Sequence, residues 1–126
     1  MNILVIGTGA VGSFYGSLLA RQGAAVSVVA RSDHFHIVEH GIDIHSDTAL
    51  GDYHFRPAAV LKPGEVPLRY PDYVLLCVKV VEEADRVGML RPVLGPQTRL
   101  VLISNGVEIE EEIREAYPEH ALISGL

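Results

Sequence analysis

Apolar and polar residues along this chain fall into blocks, and the length of each block predicts an element. Asn2-Ile3-Leu4-Val5-Ile6 holds an apolar run short enough for one buried strand. A second run, Val26 to Ala30, ends at Arg31. Between them, Ser13 to Gln22 reads as a helix. Tyr73 to Val78 and Leu100 to Ile103 are near-continuous apolar runs, the pattern of parallel strands covered on both faces. Val81 to Leu94 carries Ala84, Val87 and either Leu90 or Arg91 at helical spacing, with Pro92 near its end. Val107 to Tyr117 is amphipathic, its apolar stripe formed by Ile109, Ile113 and Ala116. Asp33 to His40 predicts a short helix closed by Gly41. Ile42 to His45 alternates as a half-buried strand does, with Tyr53 to Leu61 as its extended partner across a turn at Asp47 to Asp52. Lys62 to Pro71, with Pro63, Gly64 and Pro67, is loop. Ala121 to Ser124 begins a last short strand. Strands alternating with helices predict an α/β fold: an open, doubly wound, mostly parallel sheet with helices on both faces.

The first strand-to-helix connection changes the picture. It reads Gly7-Thr8-Gly9-Ala10-Val11-Gly12, a G-x-G-x-x-G between a strand and a helix that a second strand follows. That is the βαβ unit of a Rossmann-type dinucleotide site. Gly7 allows the tight turn, Gly9 lets a pyrophosphate approach the backbone, and Gly12 lets the helix pack closely on the sheet. Unpaired N–H groups at the helix start would face the phosphates. Without this context the same glycines would be only a turn. The end of the second strand then selects the nucleotide. An NAD enzyme carries Asp or Glu about 20 residues past the glycines, to bond the ribose 2′-OH. This chain has Arg31 and Ser32 there. A cation and a hydroxyl suit a 2′-phosphate, whereas a carboxylate would repel it; the competing view of Arg31 is a solvated strand-end arginine. NADP(H) is the expected cofactor.

At 126 residues the chain is the size of one domain, and 48% apolar content is enough for a core. The net charge of −6 argues against nucleic acid, which demands a basic footprint. It does not exclude an anionic dinucleotide, because distant charges are screened. No apolar run approaches the ~18 residues of a membrane span, and the N-terminal run is too short for a signal peptide, so a cytoplasmic protein without a membrane partner is expected. The single cysteine, Cys77, agrees with a reducing compartment.

In an open parallel sheet the ligand crevice lies at the carboxyl ends of the strands. Lys79 and Asn105 follow the two central apolar runs directly, so both fall at that crevice. Together, G-T-G-A-V-G, Arg31, the Cys77-Val78-Lys79 ending of a central strand and Ser104-Asn105-Gly106 before an acidic helix resemble the ketopantoate reductase (2-dehydropantoate 2-reductase) family. The resemblance runs over essentially the whole chain. It implies an NADPH-dependent oxidoreductase that reduces a small-molecule 2-keto acid, ketopantoate to pantoate, in pantothenate and coenzyme A biosynthesis. In that family the arginine matching Arg31 contacts the 2′-phosphate. The residues matching Lys79 and Asn105 lie at the nicotinamide and the substrate. The resemblance also implies a second, helical domain that supplies a proton-donating lysine. Residues 1–126 are therefore expected to be the NADP-binding domain alone, inactive by itself, and a homodimer stays open for the full-length protein.

The chemistry is consistent with those residues. Negative charge grows on a carbonyl oxygen as hydride reaches its carbon, and a cation or hydrogen-bond donor stabilises it. Lys79 could supply the cation or bind the substrate carboxylate, or be a solvated lysine. Asn105 could donate an amide hydrogen bond, or cap the helix beginning near Val107. Cys77, inside an apolar run, reads as a buried, unreactive thiol. His36 and His40 could share a helix face near His34, but no cysteine or carboxylate completes a tetrahedral metal set at recognisable spacing. The glutamates at 108, 110, 111, 112 and 115 read as the wet face of a helix. The alternatives to the reductase are an NADP(H)-sensing module without chemistry and a related reductase acting on another 2-keto acid.

Overall fold

The computed structural model describes residues 1–7, 10–45, 51–77, 86–103 and 107–125. Six parallel strands form the main sheet: β1 (Asn2–Ile6), β2 (Ala25–Val29), β5 (Val60–Leu61), β6 (Tyr73–Leu76), β7 (Arg99–Ile103) and β8 (Leu122–Gly125), in the order β5-β2-β1-β6-β7-β8. A separate antiparallel hairpin pairs β3 (Ile42–Ile44) with β4 (Tyr53–Phe55). The described helices are α1 (Ala10–Arg21), α2 (His34–His40), α3 (Arg86–Leu90) and α4 (Val107–Ala116), with a 3-10 turn at Arg91–Val93. The Rossmann-type doubly wound sheet expected from the apolar runs is the observed fold.

Alternation along each strand divides the interior in two. Leu4, Ile6, Val74, Leu76, Leu100 and Leu102 face one side, where Leu90 of α3, Val93 of the 3-10 turn and Ile113 of α4 cover them. Ile3, Val5, Val26, Val28 and Leu75 face the other, against Phe14 and Leu19 of α1, Ile37 of α2, and Ile44 and Phe55 of the hairpin. At the amino ends of the strands, Asp72 ties β6 to β1: its N–H donates to the Asn2 carbonyl (2.8 Å) and its carboxylate accepts from the Asn2 N–H (2.8 Å). Buried Thr98 donates to the Pro71 carbonyl at 2.7 Å and accepts from the Gly95 N–H at 3.0 Å.

Four expectations need correction. Helix α1 starts at Ala10, three residues before Ser13, because the glycine motif itself forms the first turn. Tyr53 to Leu61 is not one strand. Pro57, which has no N–H to give, separates β4 on the hairpin from β5, and β5 leaves β3 to pair with β2. The stripe of α4 keeps Ile113, but Ala116 is exposed and Tyr117 packs on the core instead, its hydroxyl donating to the Val87 carbonyl. In the helix predicted over 81–94, Pro92 tightens the end into a 3-10 turn, and Leu90, not Arg91, is buried; residues 81–85 lie outside the described residues.

Leu102 is 1% exposed in the first core, while Val66, on the β5–β6 loop, is 63% exposed. Leu102→Ala should cost about 2–5 kcal/mol of stability, and Val66→Ala less than about 0.5 kcal/mol. Denaturant unfolding of both variants reads the contrast; similar losses would mean that the sheet is not packed as described.

Candidate functional site

Because all six strands run the same way, their carboxyl ends lie along one edge. Gly7 follows β1 there with φ of 105°, in the left-handed region that favours glycine. Gly12 then lies against it. A Cβ on Gly12 would fall 2.0 Å from the Gly7 carbonyl oxygen and 3.2 Å from the Cys77 Cβ. No side chain fits, so the first turns of α1 rest directly on the end of β1. This is the close helix–strand packing that the third glycine of a G-x-G-x-x-G allows. Thr8 and Gly9 lie outside the described residues. Ala10 and Val11 open α1.

Cys77 lies beneath this turn. Its N–H donates to the Ile6 carbonyl at 2.9 Å and holds the end of β6 beside β1. The thiol is half-buried, not fully buried as its apolar run suggested. Desolvation nonetheless pushes its pKa up, from an ordinary 9.0 to about 11.

One strand over, Arg31 and Ser32 follow β2 and are both exposed, in a turn whose Arg31 carbonyl accepts the His34 N–H at 3.1 Å. The His34 ring pins this turn to the neighbouring strand, its Nε2 lying 3.1 Å from the Val60 carbonyl. Among the described residues no carboxylate pairs with the Arg31 guanidinium. Lys62 follows β5 at the same edge, also exposed and without a carboxylate on its ammonium among the described residues. Sequence reasoning placed Lys62 in a loop and weighed His34 only beside a metal reading. The signal was available only once β5 was known to pair with β2. Lys79 and Asn105, expected at the central strand ends, lie outside the described residues.

Several other polar groups have local partners. Glu112 pairs with Arg86 at 3.0 Å and Glu110 with Arg114 at 2.9 Å, while Glu111 and Glu115 are solvated. His54 Nδ1 lies 2.7 Å from Asp43, and that contact holds the Asp43 carboxyl below its usual range. The His36 and His40 rings are 4.9 Å apart, and among the described residues no three metal-ligating groups converge. A cavity of about 520 Å³ lined by Asn2, Leu4, Ser27, Leu61 and Pro67 opens near the amino ends of β1 and β2, on the opposite side from the glycine turn, so its volume says nothing of the crevice. No described helix is long and apolar enough to cross a membrane.

Comparison with known proteins agrees with this geometry. The family described as ketopantoate reductase PanE/ApbA matches residues 3–126. The crystal structure of 2-dehydropantoate 2-reductase from Methylococcus capsulatus superposes with a TM-score of 0.90 at 57% identity, covering 98% of this chain and 40% of that one. The 2-dehydropantoate 2-reductase of Aquifex aeolicus is 31% identical over 98% of this chain and 37% of its own length. A D-mandelate dehydrogenase solved with NADH and anilino(oxo)acetate shares the fold at a TM-score of 0.84 and 21% identity. The chain spans about two-fifths of the length of the relatives it matches.

With its pKa near 11, Cys77 holds about a hundredfold less thiolate at pH 8 than a thiol of pKa 9.0. Iodoacetamide labelling of the folded protein at pH 8 should be markedly slower than in denaturant, since the thiolate fraction falls while partial burial limits access. Its rate should keep climbing with pH up to about 11. Labelling at equal rates in the folded and unfolded states would contradict the packing of Cys77 under the glycine turn.

Proposed function

The chain belongs to the ketopantoate reductase PanE/ApbA family, and we propose that it forms the NADP(H)-binding part of a 2-dehydropantoate 2-reductase, reducing ketopantoate to pantoate. One observation carries this reading: a glycine turn too tight for any side chain, followed at the end of the next parallel strand by an arginine that no described carboxylate neutralises. The first feature is the close helix–strand packing of a dinucleotide-binding turn; the second favours a third phosphate on the adenosine ribose.

When bound, NADPH supplies the hydride. The chain's own residues bind, orient and balance charge. Gly7 and Gly12 bring the start of α1 close enough for backbone N–H groups to reach the pyrophosphate. Arg31 and Ser32 hold the 2′-phosphate by charge-assisted hydrogen bonds. We assign Lys79 and Asn105, by resemblance to the family, to the nicotinamide and keto acid end. There an ammonium and an amide N–H stabilise the oxygen that gains charge as the ketone is reduced. The matched relatives are more than twice as long, and the proton donor is sought in the part of such a chain beyond the matched region.

Two measurements test this. Titration calorimetry should show that NADPH binds more tightly than NADH, and that Arg31→Ala weakens NADPH by about 10- to 150-fold with little effect on NADH. Equal affinities in the unaltered protein would remove the NADP assignment. In a full-length family enzyme carrying this sequence, Lys79→Ala and Asn105→Ala should lower kcat with ketopantoate far more than they raise the Kd for NADPH. Wild-type kcat and KM in both variants would return these residues to surface and cap roles.

A further inference from the structure

We infer that Lys62 is a second determinant of cofactor choice, a cation that shares the adenosine 2′-phosphate with Arg31. The inference rests on the NADP reading above and adds a residue from a different strand. Its basis is register. Strands β2 and β5 run parallel with Val28 opposite Val60 and Val29 opposite Leu61, and the Ala30 N–H donates to the Leu61 carbonyl at 2.9 Å. Continuing that ladder by one residue sets Lys62 opposite Ala30, one residue before Arg31. Neighbouring strands lie about 4.8 Å apart, well within the reach of a four-carbon lysine stem.

Two further contacts hold the pair in place. His34 Nε2 meets the Val60 carbonyl at 3.1 Å, so the turn carrying Arg31 and Ser32 is fastened to β5 itself. On the other side Lys62 opens a closed turn. Its N–H donates to Glu65 Oε1 at 2.8 Å, and the Glu65 N–H donates back to the Lys62 carbonyl at 3.1 Å. Both interactions use the main chain of Lys62 and leave its ammonium out. The lysine backbone is fixed, its ammonium is exposed, and the Glu65 carboxylate is engaged by an amide. In a chain of net charge −6, two cations without a described carboxylate partner at adjacent strand ends concentrate positive charge where a dinucleotide would carry its extra phosphate.

The test is a charge series at one position, read by calorimetry with both dinucleotides on the 126-residue chain. Lys62→Arg should keep NADPH affinity. Lys62→Met should lower it about three- to tenfold, and Lys62→Glu should lower it further. NADH affinity should stay constant across the series, and the NADPH loss should shrink as salt rises. A series in which NADPH affinity never changes, while Arg31→Ala still abolishes the preference, overturns the role of Lys62 and leaves the NADP reading standing. Equal losses for NADPH and NADH would overturn it too, because they mark a disturbed fold and not phosphate discrimination. An unaltered protein with no NADPH preference would fail the underlying reading, and Lys62 with it.

Discussion

Strands that pair in parallel cannot be joined by tight turns, so each connection here must cross from one end of the sheet to the other. The consequences reach every other part of the molecule. The crossings supply the layers that cover both faces, which is why the central strands are apolar on both sides. All six carboxyl ends fall along one edge. Gly7, Arg31, Lys62 and Cys77 are far apart in the chain, and each simply follows the last residue or two of its own strand. The candidate site is therefore a product of strand direction before it is a product of any particular side chain.

Within that edge the closest constraint is steric. The space between Gly12 and the Gly7 carbonyl has no room for a carbon atom. Helix α1 and strand β1 are consequently fixed relative to each other by backbone contact, with Cys77 filling the space below. Electrostatics then works locally. The chain is acidic overall, yet Glu65, the carboxylate beside Lys62, accepts an amide N–H.

The long apolar runs made β1, β2, β6 and β7 legible from the sequence, and the glycine spacing located the first crossover. Their signals are local: a buried strand must be apolar, and a close approach must be glycine. What was not legible depended on partners distant in sequence. Nothing in Tyr53 to Leu61 says that Val60 and Leu61 desert β3 for β2, since a two-residue strand has no periodicity. Lys62 was hidden for the same reason, because its meaning comes from the strand beside it. The start of α1 was misplaced because glycine is a poor helix former, and Gly12 masks a turn that packing stabilises. Ala116 looked like part of the stripe of α4 because its spacing is right. The helix ends there, and the larger Tyr117 takes the contact with the core.

The division of the interior by a single sheet has a consequence for how this sequence can vary. The side chains of Leu4 and Leu102 pack in one cluster and those of Ile3 and Val28 in another, on opposite faces of the sheet. Substitutions on opposite faces should combine close to additively, while those on one face compete for the same space. The layer of α3 and α4 and the layer of α1, α2 and the hairpin can thus drift as two separately packed halves. Only the strand backbones and the bare glycine contact at the edge must answer to both.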